Sequence, residues 1–281
     1  MKKSIVKIGL VQSSASFDFD RNLSNAASQI RIAQGKGAQI VCLQELFAFR
    51  YFPQVKSRSN FSFANPNYTA SIKRMFSKLA RDLKVVIIAP YFEKAKQAKY
   101  FNSVFVIDAD GKVLGTYRKM HIPYDPGFYE KYYFKNGNLG FKVFKTKYAT
   151  ISVLICWDQW FPEAARAVAL KEAQILFYPT AIGWDVRRKD NEQLKELNAW
   201  VTIQKSHAIA NGVFVAAANR TGRESHLKFW GNSFVADPFG DLIAKAGESE
   251  EKILIAACDL SKIKETRSDW PFLRDLRSDA Y

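Results

Sequence analysis

Leu154-Ile155-Cys156-Trp157-Asp158-Gln159-Trp160-Phe161-Pro162-Glu163 is the stretch on which the fold and the chemistry of this chain turn. It overlaps Ile151-Ser152-Val153-Leu154-Ile155, an apolar, β-branched run that predicts a short buried strand. Pro162 and Glu163 suit the first turn of a helix through Ala164, Ala165, Val168 and Leu170. Proline there gives up an N–H that has no partner anyway, and a carboxylate sits well at the positive end of the dipole. Cys156 thus falls between a strand end and a helix start. Backbone N–H groups at such a place are unpaired and favour a thiolate and any oxyanion formed beside it. Taken alone, however, a free Cys after an apolar strand is more often an inert core residue.

The flanking sequence predicts alternating strands and helices. Ile5 to Val11 reads as a strand. A helix from Arg21 to about Gln34, capped by Asp18 or Asp20, carries Leu23, Ala26, Ala27, Ile30 and Ala33 at helical spacing and stops at Gly35 and Gly37. Gln39 to Leu43 is a second buried strand that ends on Gln44 and Glu45. A helix from about Asn67 to Leu83 precedes the strand Val85 to Ala89. Asn102 to Ile107 and Val113 to Arg118 form a hairpin around Ala109-Asp110-Gly111, delivering Lys119. A turn-rich loop to Gly140 contains Asp125, Phe128 and Glu130. After the Cys156 helix come a strand Ile175 to Tyr178, a loop Thr180 to Lys189, a long helix from about Asn191 to Ala210, and strands Val213 to Ala217, Ser233 to Ala236 and Lys252 to Ala257. No linker, repeat or low-complexity stretch interrupts this order, which predicts one α/β domain over residues 1–281 with layered sheets and helices.

With 48% hydrophobic and 14% aromatic residues, the 281-residue chain has ample core for a globular fold and is not disordered. Lys7 interrupts the apolar run of the N-terminus, so no export signal is expected, and no apolar run reaches the roughly 20 residues of a membrane span. Cys42, Cys156 and Cys258 are odd in number and far apart, which predicts reduced thiols in a cytoplasmic protein. No Cys/His cluster has metal-ligand spacing, so no metal is expected. The net charge of +15 raises nucleic acid or an acidic membrane surface as partners. Its Lys and Arg are spread over separate places, such as Lys94, Lys96 and Lys99, then Lys142, Lys145 and Lys147, then Arg187, Arg188 and Lys189. With no nucleic-acid module or phosphate loop among them, a solvated basic surface is the expectation, with neither nucleic acid nor membrane as partner.

Three polar residues each end an apolar strand: Glu45, Lys119 and Cys156. In α/β folds, sites form outside strand ends. A thiol needs a base to become a nucleophile, which Glu45 supplies in principle, and Lys119 with backbone N–H groups can stabilise the negative charge that develops on an attacked carbonyl. Singly, each has a plainer reading, as a solvated strand end, a hairpin tip or a core thiol.

The three segments together resemble the signature of the nitrilase, or carbon–nitrogen hydrolase, superfamily. They are the Glu after a buried strand, Tyr117-Arg118-Lys119-Met120-His121-Ile122-Pro123, and Ile155-Cys156-Trp157-Asp158-Gln159-Trp160-Phe161-Pro162-Glu163-Ala164-Ala165-Arg166. The likeness extends from Ile8-Gly9-Leu10-Val11-Gln12 to Trp270-Pro271-Phe272-Leu273-Arg274-Asp275. Pro126-Gly127-Phe128-Tyr129-Glu130-Lys131-Tyr132-Tyr133-Phe134 and Phe177-Tyr178-Pro179-Thr180-Ala181-Ile182-Gly183-Trp184 resemble the branch that acts on N-carbamoylputrescine. The resemblance implies a four-layer α-β-β-α sandwich that pairs into a homodimer or higher homo-oligomer. It also implies a Cys156–Glu45–Lys119 triad positioned by Glu130, no cofactor, and hydrolysis of a small carbamoyl amine to putrescine, ammonia and carbon dioxide in polyamine synthesis. Tyr124 stands where relatives commonly have Asp, with Asp125 directly after it.

A cationic carbamoyl amine needs a distal carboxylate and aromatic walls for its butyl chain. Asp185 matches the place of the acidic residue in those relatives, with Asp125 in reserve, and Tyr51, Phe128, Trp157 and Trp184 are candidate walls. Asp185 as a cap for the following helix is the structural alternative. Two other functions stay open: hydrolysis of N-carbamoyl-β-alanine or a dicarboxylate ω-amide, with Arg187 or Arg188 holding the carboxylate, and a basic binding protein on the same scaffold without turnover.

Overall fold

Side-chain alternation explains the layering. The computed structural model describes residues 5–188 and 192–280. In strands β1 (Ile5–Gln12), β2 (Ile40–Cys42) and β3 (Val86–Lys94), the residues Ile8, Leu10, Ile40, Cys42, Val86 and Ile88 enter one hydrophobic core. Their sequence neighbours Val11, Val41, Leu43, Val85 and Ile87 enter a second core. A period of two sends alternate residues to opposite faces, so this sheet is buried on both sides. On one face lie helices α1 (Phe19–Gly35) and α2 (Pro66–Leu83), whose Leu23, Ile30, Phe76 and Leu79 belong to the second core. The other face meets a second sheet.

The first sheet adds β4 (Tyr100–Ile107), β5 (Val113–Arg118) and β15 (Lys252–Asp259), in the order β15-β1-β2-β3-β4-β5. The second sheet contains β6 (Val143–Lys145), β7 (Thr150–Val153), β8 (Ile175–Thr180), β10 (Phe214–Asn219), β13 (Phe234–Ala236) and β14 (Leu242–Lys245), in the order β14-β13-β10-β8-β7-β6. Helices α4 (Pro162–Ala169) and α5 (Gln193–Asn211) cover its outer face through Ala164, Val168, Trp200 and Ala208. The architecture is the four-layer α-β-β-α sandwich expected from the resemblance. A helix α6 (Ser261–Asp269) follows β15. Among the described residues no helix is long and apolar enough to cross a membrane.

Local chemistry sets the helix ends. Asp18, one of the two candidates, caps α1 by accepting from Arg21 N at 3.0 Å. Asn65 caps α2, with Pro66 in its first turn and Lys84 in the left-handed conformation after its end. Helix α4 starts at Pro162, as expected, and residues Cys156–Trp160 before it form a separate 3₁₀ turn. One expectation needs correction: the loop from Thr180 is not irregular throughout. Its β9 (Gly183–Asp185) joins β11 (Thr221–Glu224) and β12 (Leu227–Trp230) in a third, three-stranded sheet in the order β11-β12-β9. The close approach of β9 to β12 needs Gly183, because a Cβ there would lie 2.3 Å from the Lys228 carbonyl oxygen. Lys189 and Asn191, named above in a basic group and as a helix start, lie outside the described residues.

Candidate active site

The ends of β2, β5 and β7 bring Glu45, Lys119 and Cys156 together. Glu45 and Lys119 are completely buried, as is Glu130 at the start of the short helix α3 (Glu130–Tyr133). Lys119 Nζ donates to Glu45 Oε1 at 2.8 Å and to Glu130 Oε2 at 2.7 Å. An ammonium has three N–H donors, so the third remains for another acceptor. Asn102 Nδ2, from β4, also donates to Glu45 Oε1, at 2.7 Å. Glu45 Oε2 is buried and has no hydrogen-bond partner among the described residues. One carboxylate oxygen is therefore anchored twice while the other is left to accept a proton.

Tyr51 was expected in the substrate wall. Instead it is fully buried, and its hydroxyl donates to Glu130 Oε1 at 2.6 Å. Glu130 is thereby gripped on both oxygens.

The electrostatics of the group follow from burial. Burial by itself lowers the Lys119 pKa, but Glu130 and Glu45 more than offset this and hold the ammonium charged. Burial, with the nearby Glu45 charge, pushes Glu130 up from the ordinary 4.5 to about 7, against the pull of Lys119. Burial raises the Cys156 thiol well above its ordinary value. Glu45 and Glu130 raise it further, while Lys119 and the Ala181 backbone N–H lower it. The net shift favours a protonated Cys156 thiol over a standing thiolate.

Cys156 is held at φ +43°, a left-handed backbone that a non-glycine residue adopts only under constraint. Asp158 supplies that constraint. Its buried carboxylate accepts from Ile155 N at 2.9 Å, Tyr117 OH at 2.7 Å and His121 N at 2.9 Å, and pairs with His121 Nδ1 at 2.8 Å. One side chain thus ties the residue before Cys156 to residues on both sides of Lys119.

Cys156 lies in the wall of a cavity of about 540 Å³, within the size range of small-molecule sites. Phe128, Trp157, Trp160, Ile182 and Trp230 give it apolar walls, and Asp125, Asp185, Arg188 and Glu196 give it charge. Asp125, Phe128, Trp157 and Asp185 were expected there. Trp184 was too, but it is not part of this wall: its Nε1 donates to the Gln193 carbonyl at 3.0 Å and its ring packs against Trp230. Asp185 is no helix cap. It ends β9, and both its oxygens are engaged by the Arg187 guanidinium, one of them also by Arg187 N. The Arg187 hydrogen bonds hold its carboxyl down at about 2. Asp125 makes no side-chain hydrogen bond or ion pair with a described residue.

Sequence reasoning passed over Asn102, Asp158 and Glu196, and named Arg188 only as a holder of a substrate carboxylate in the alternative function. Asn102 had a signal, a polar residue early in the apolar strand Tyr100–Ile107. Glu196 had none, since its pairing with Arg188 depends on how β9 meets α5. Among the described residues no group of His, Cys, Asp and Glu is placed to hold a metal ion.

A buried Cys–Glu–Lys cluster at the strand ends of an α-β-β-α sandwich agrees with the family assignment: the chain belongs to the carbon–nitrogen hydrolase family, whose pattern matches residues 7–268. It is 47% identical to an N-carbamoylputrescine amidase of Solanum lycopersicum over all of this chain and 95% of the relative. It is 40% identical to a citrullinase of Francisella tularensis over 98% of this chain and 96% of that one. The crystal structure of a carbon–nitrogen hydrolase from Helicobacter pylori G27 superimposes with a TM-score of 0.95 at 42% identity, over 99% of this chain and 97% of that one.

Proposed function

We propose that the chain hydrolyses N-carbamoylputrescine to putrescine, ammonia and carbon dioxide, with Cys156 as nucleophile. The observation that carries the chemistry is the Lys119 ammonium held between Glu45 and Glu130 while Glu45 Oε2 stays unpartnered. The substrate follows from the full-length amidase relatives and from the charge of the cavity.

In the reaction, Glu45 takes the Cys156 proton as sulfur attacks the carbamoyl carbon. The tetrahedral oxyanion is stabilised by the third N–H of Lys119 and by backbone N–H groups at the start of the 156–160 turn. Collapse breaks one C–N bond, and Glu45 returns the proton to the departing nitrogen. Water, deprotonated by Glu45, then cleaves the thiocarbamate, and the proton returns to sulfur to regenerate the thiol. Whichever nitrogen leaves first, one water is consumed: if putrescine leaves first, the carbamic acid released decomposes to ammonia and carbon dioxide, and if ammonia leaves first, the N-substituted carbamic acid decomposes to putrescine and carbon dioxide.

The charged residues around the mouth are Asp125, Asp185 and Glu196 against Arg187 and Arg188, an excess of one negative charge that suits a monocation. The aromatic walls suit a butyl chain. No cofactor takes part in these steps. Edge contacts among the exposed Phe239, Trp270 and Phe272 support assembly into a homo-oligomer. Three unpaired cysteines suit a reducing, cytoplasmic setting.

An ammonia-release assay tests the substrate across N-carbamoylputrescine, N-carbamoyl-β-alanine, simple ω-amides and butylurea. N-carbamoylputrescine is expected to have the highest kcat/KM. A preference for carbamoyl-β-alanine would overturn the assignment.

A further inference from the structure

The cavity that holds Cys156 carries an ion pair at its open side. Arg188 Nη1 lies 2.6 Å from Glu196 Oε1, and both residues line the cavity. Arg188, after β9, is 53% exposed at its side chain, and Glu196, on α5, is 35% exposed, whereas Cys156 is buried. A pair this open contributes little to stability and exchanges partners readily. The neighbouring Asp185–Arg187 pair is different: it is reinforced by a backbone N–H, and the Asp185 side chain is only 13% exposed. Beside Asp125, which also lines the cavity, Arg188 and Glu196 are therefore the charges at the mouth that a substrate can recruit.

Their combination is more than a monocation needs. A diamine end requires a carboxylate alone. A guanidinium beside a carboxylate is the complement of a group carrying both a carboxylate and an ammonium, and guanidinium matches carboxylate geometry with two parallel donors. The ureido α-amino acid citrulline is N-carbamoylputrescine with one added carboxylate, on the carbon that bears the ammonium. The ureido group, chain length and ammonium are otherwise the same.

Resting on the reading of this site as a carbamoyl-amine hydrolase, we propose that Arg188 and Glu196 together read the distal end of the substrate. Glu196 binds the ammonium, and Arg188 binds an α-carboxylate when one is present. The enzyme then hydrolyses ureido α-amino acids of this length as well as the carbamoyl diamine. The bonds made and broken are those given above, with one water consumed and the α-amino acid released in place of the diamine. For the diamine, Arg188 swings away from Glu196 into solvent.

The test measures ammonia release from N-carbamoylputrescine, L-citrulline and butylurea by wild type, Arg188→Ala, Arg188→Lys and Glu196→Gln, each checked for an unchanged thermal transition. Wild type is expected to turn over both charged substrates. Arg188→Ala should cut the citrulline-to-carbamoylputrescine ratio of kcat/KM by about tenfold or more, the scale of a lost charge-assisted contact. Arg188→Lys should recover part of that ratio. Glu196→Gln should lower both charged substrates relative to butylurea. Turnover of N-carbamoylputrescine without citrulline, or equal losses on both in Arg188→Ala, would overturn this proposal and leave the proposed function standing. Failure on every carbamoyl amine would overturn the proposed function itself.

Discussion

Cys156 is a buried thiol with a raised pKa, so in the proposed mechanism its reactivity depends on Glu45 Oε2. Cys156→Ala should abolish ammonia release in a protein that still folds, because no covalent intermediate can form. Cys42→Ala and Cys258→Ala should stay active, as both thiols are buried within strands β2 and β15. Turnover by folded Cys156→Ala would rule out the mechanism. Glu45→Gln keeps the shape but cannot take a proton. We expect kcat to fall by about 10²–10⁴-fold, with a much smaller change in KM. A near-normal kcat would remove Glu45 as the base.

Glu130 offers a test by pH. Its folded-state value of about 7 lies above the ordinary 4.5, so between the two the folded protein holds a proton that the unfolded chain has released. Its contribution to stability therefore falls as pH rises from about 5 to above 7. Wild type should lose denaturation midpoint relative to Glu130→Gln across that interval. A difference independent of pH would show that Glu130 is ionised throughout.

Among elements, the joint between the end of β5 and the turn after β7 matters most. Asp158 receives donors from Ile155, Tyr117 and His121, and His121 also stacks on Phe161 with ring centroids 3.7 Å apart. An amide in its place has one acceptor oxygen and an NH₂ facing donors. Asp158→Asn should lower the melting temperature, each lost bond to the charged group costing about 1.5–3 kcal/mol. It should also lower kcat more than it raises KM, since the Cys156 turn loses its tie to the Lys119 strand. An unchanged kcat in the folded variant would show that the clamp is structural only.

On the scale of the molecule, Arg220 links the two halves of the site. It is completely buried after β10, in the second sheet. Its Nη1 meets Glu224 Oε1 at 2.6 Å, and its Nη2 donates to the carbonyls of Glu45, Leu46 and Phe49 at 3.1, 2.9 and 3.0 Å. Glu224 Oε2 accepts from Tyr51 N at 2.6 Å. The second sheet therefore grips the whole loop that runs from Glu45 to Tyr51. Arg220→Ala leaves Glu224 and three carbonyls short of a donor, and breaking such a buried pair costs about 3–5 kcal/mol. Lysine cannot fork to the same set, so Arg220→Lys should rescue only a minor part of the loss in denaturant unfolding. Full rescue would show that charge alone suffices there.

The sequence by itself determined the buried strands and the candidate reactive groups, and its family resemblance supplied the four layers. Continuous apolar runs at Ile40–Leu43 and Val85–Ile88 report strands buried on both faces, because successive side chains of a strand point to opposite sides. Glu45, Lys119 and Cys156 stood out for a similar reason: a polar group closing an apolar run is visible without any partner in view. Tertiary structure alone decided the rest. The strands of the third sheet are three or four residues long and too short for a pattern, so only their pairing defines them. Tyr51 became a brace for Glu130, 79 residues away, Asp158 a clamp on His121, 37 residues away, and Arg220 a grip on the Glu45 loop, 175 residues away. Contacts at such separations follow from how the layers stack, and a linear sequence carries no local signal for them.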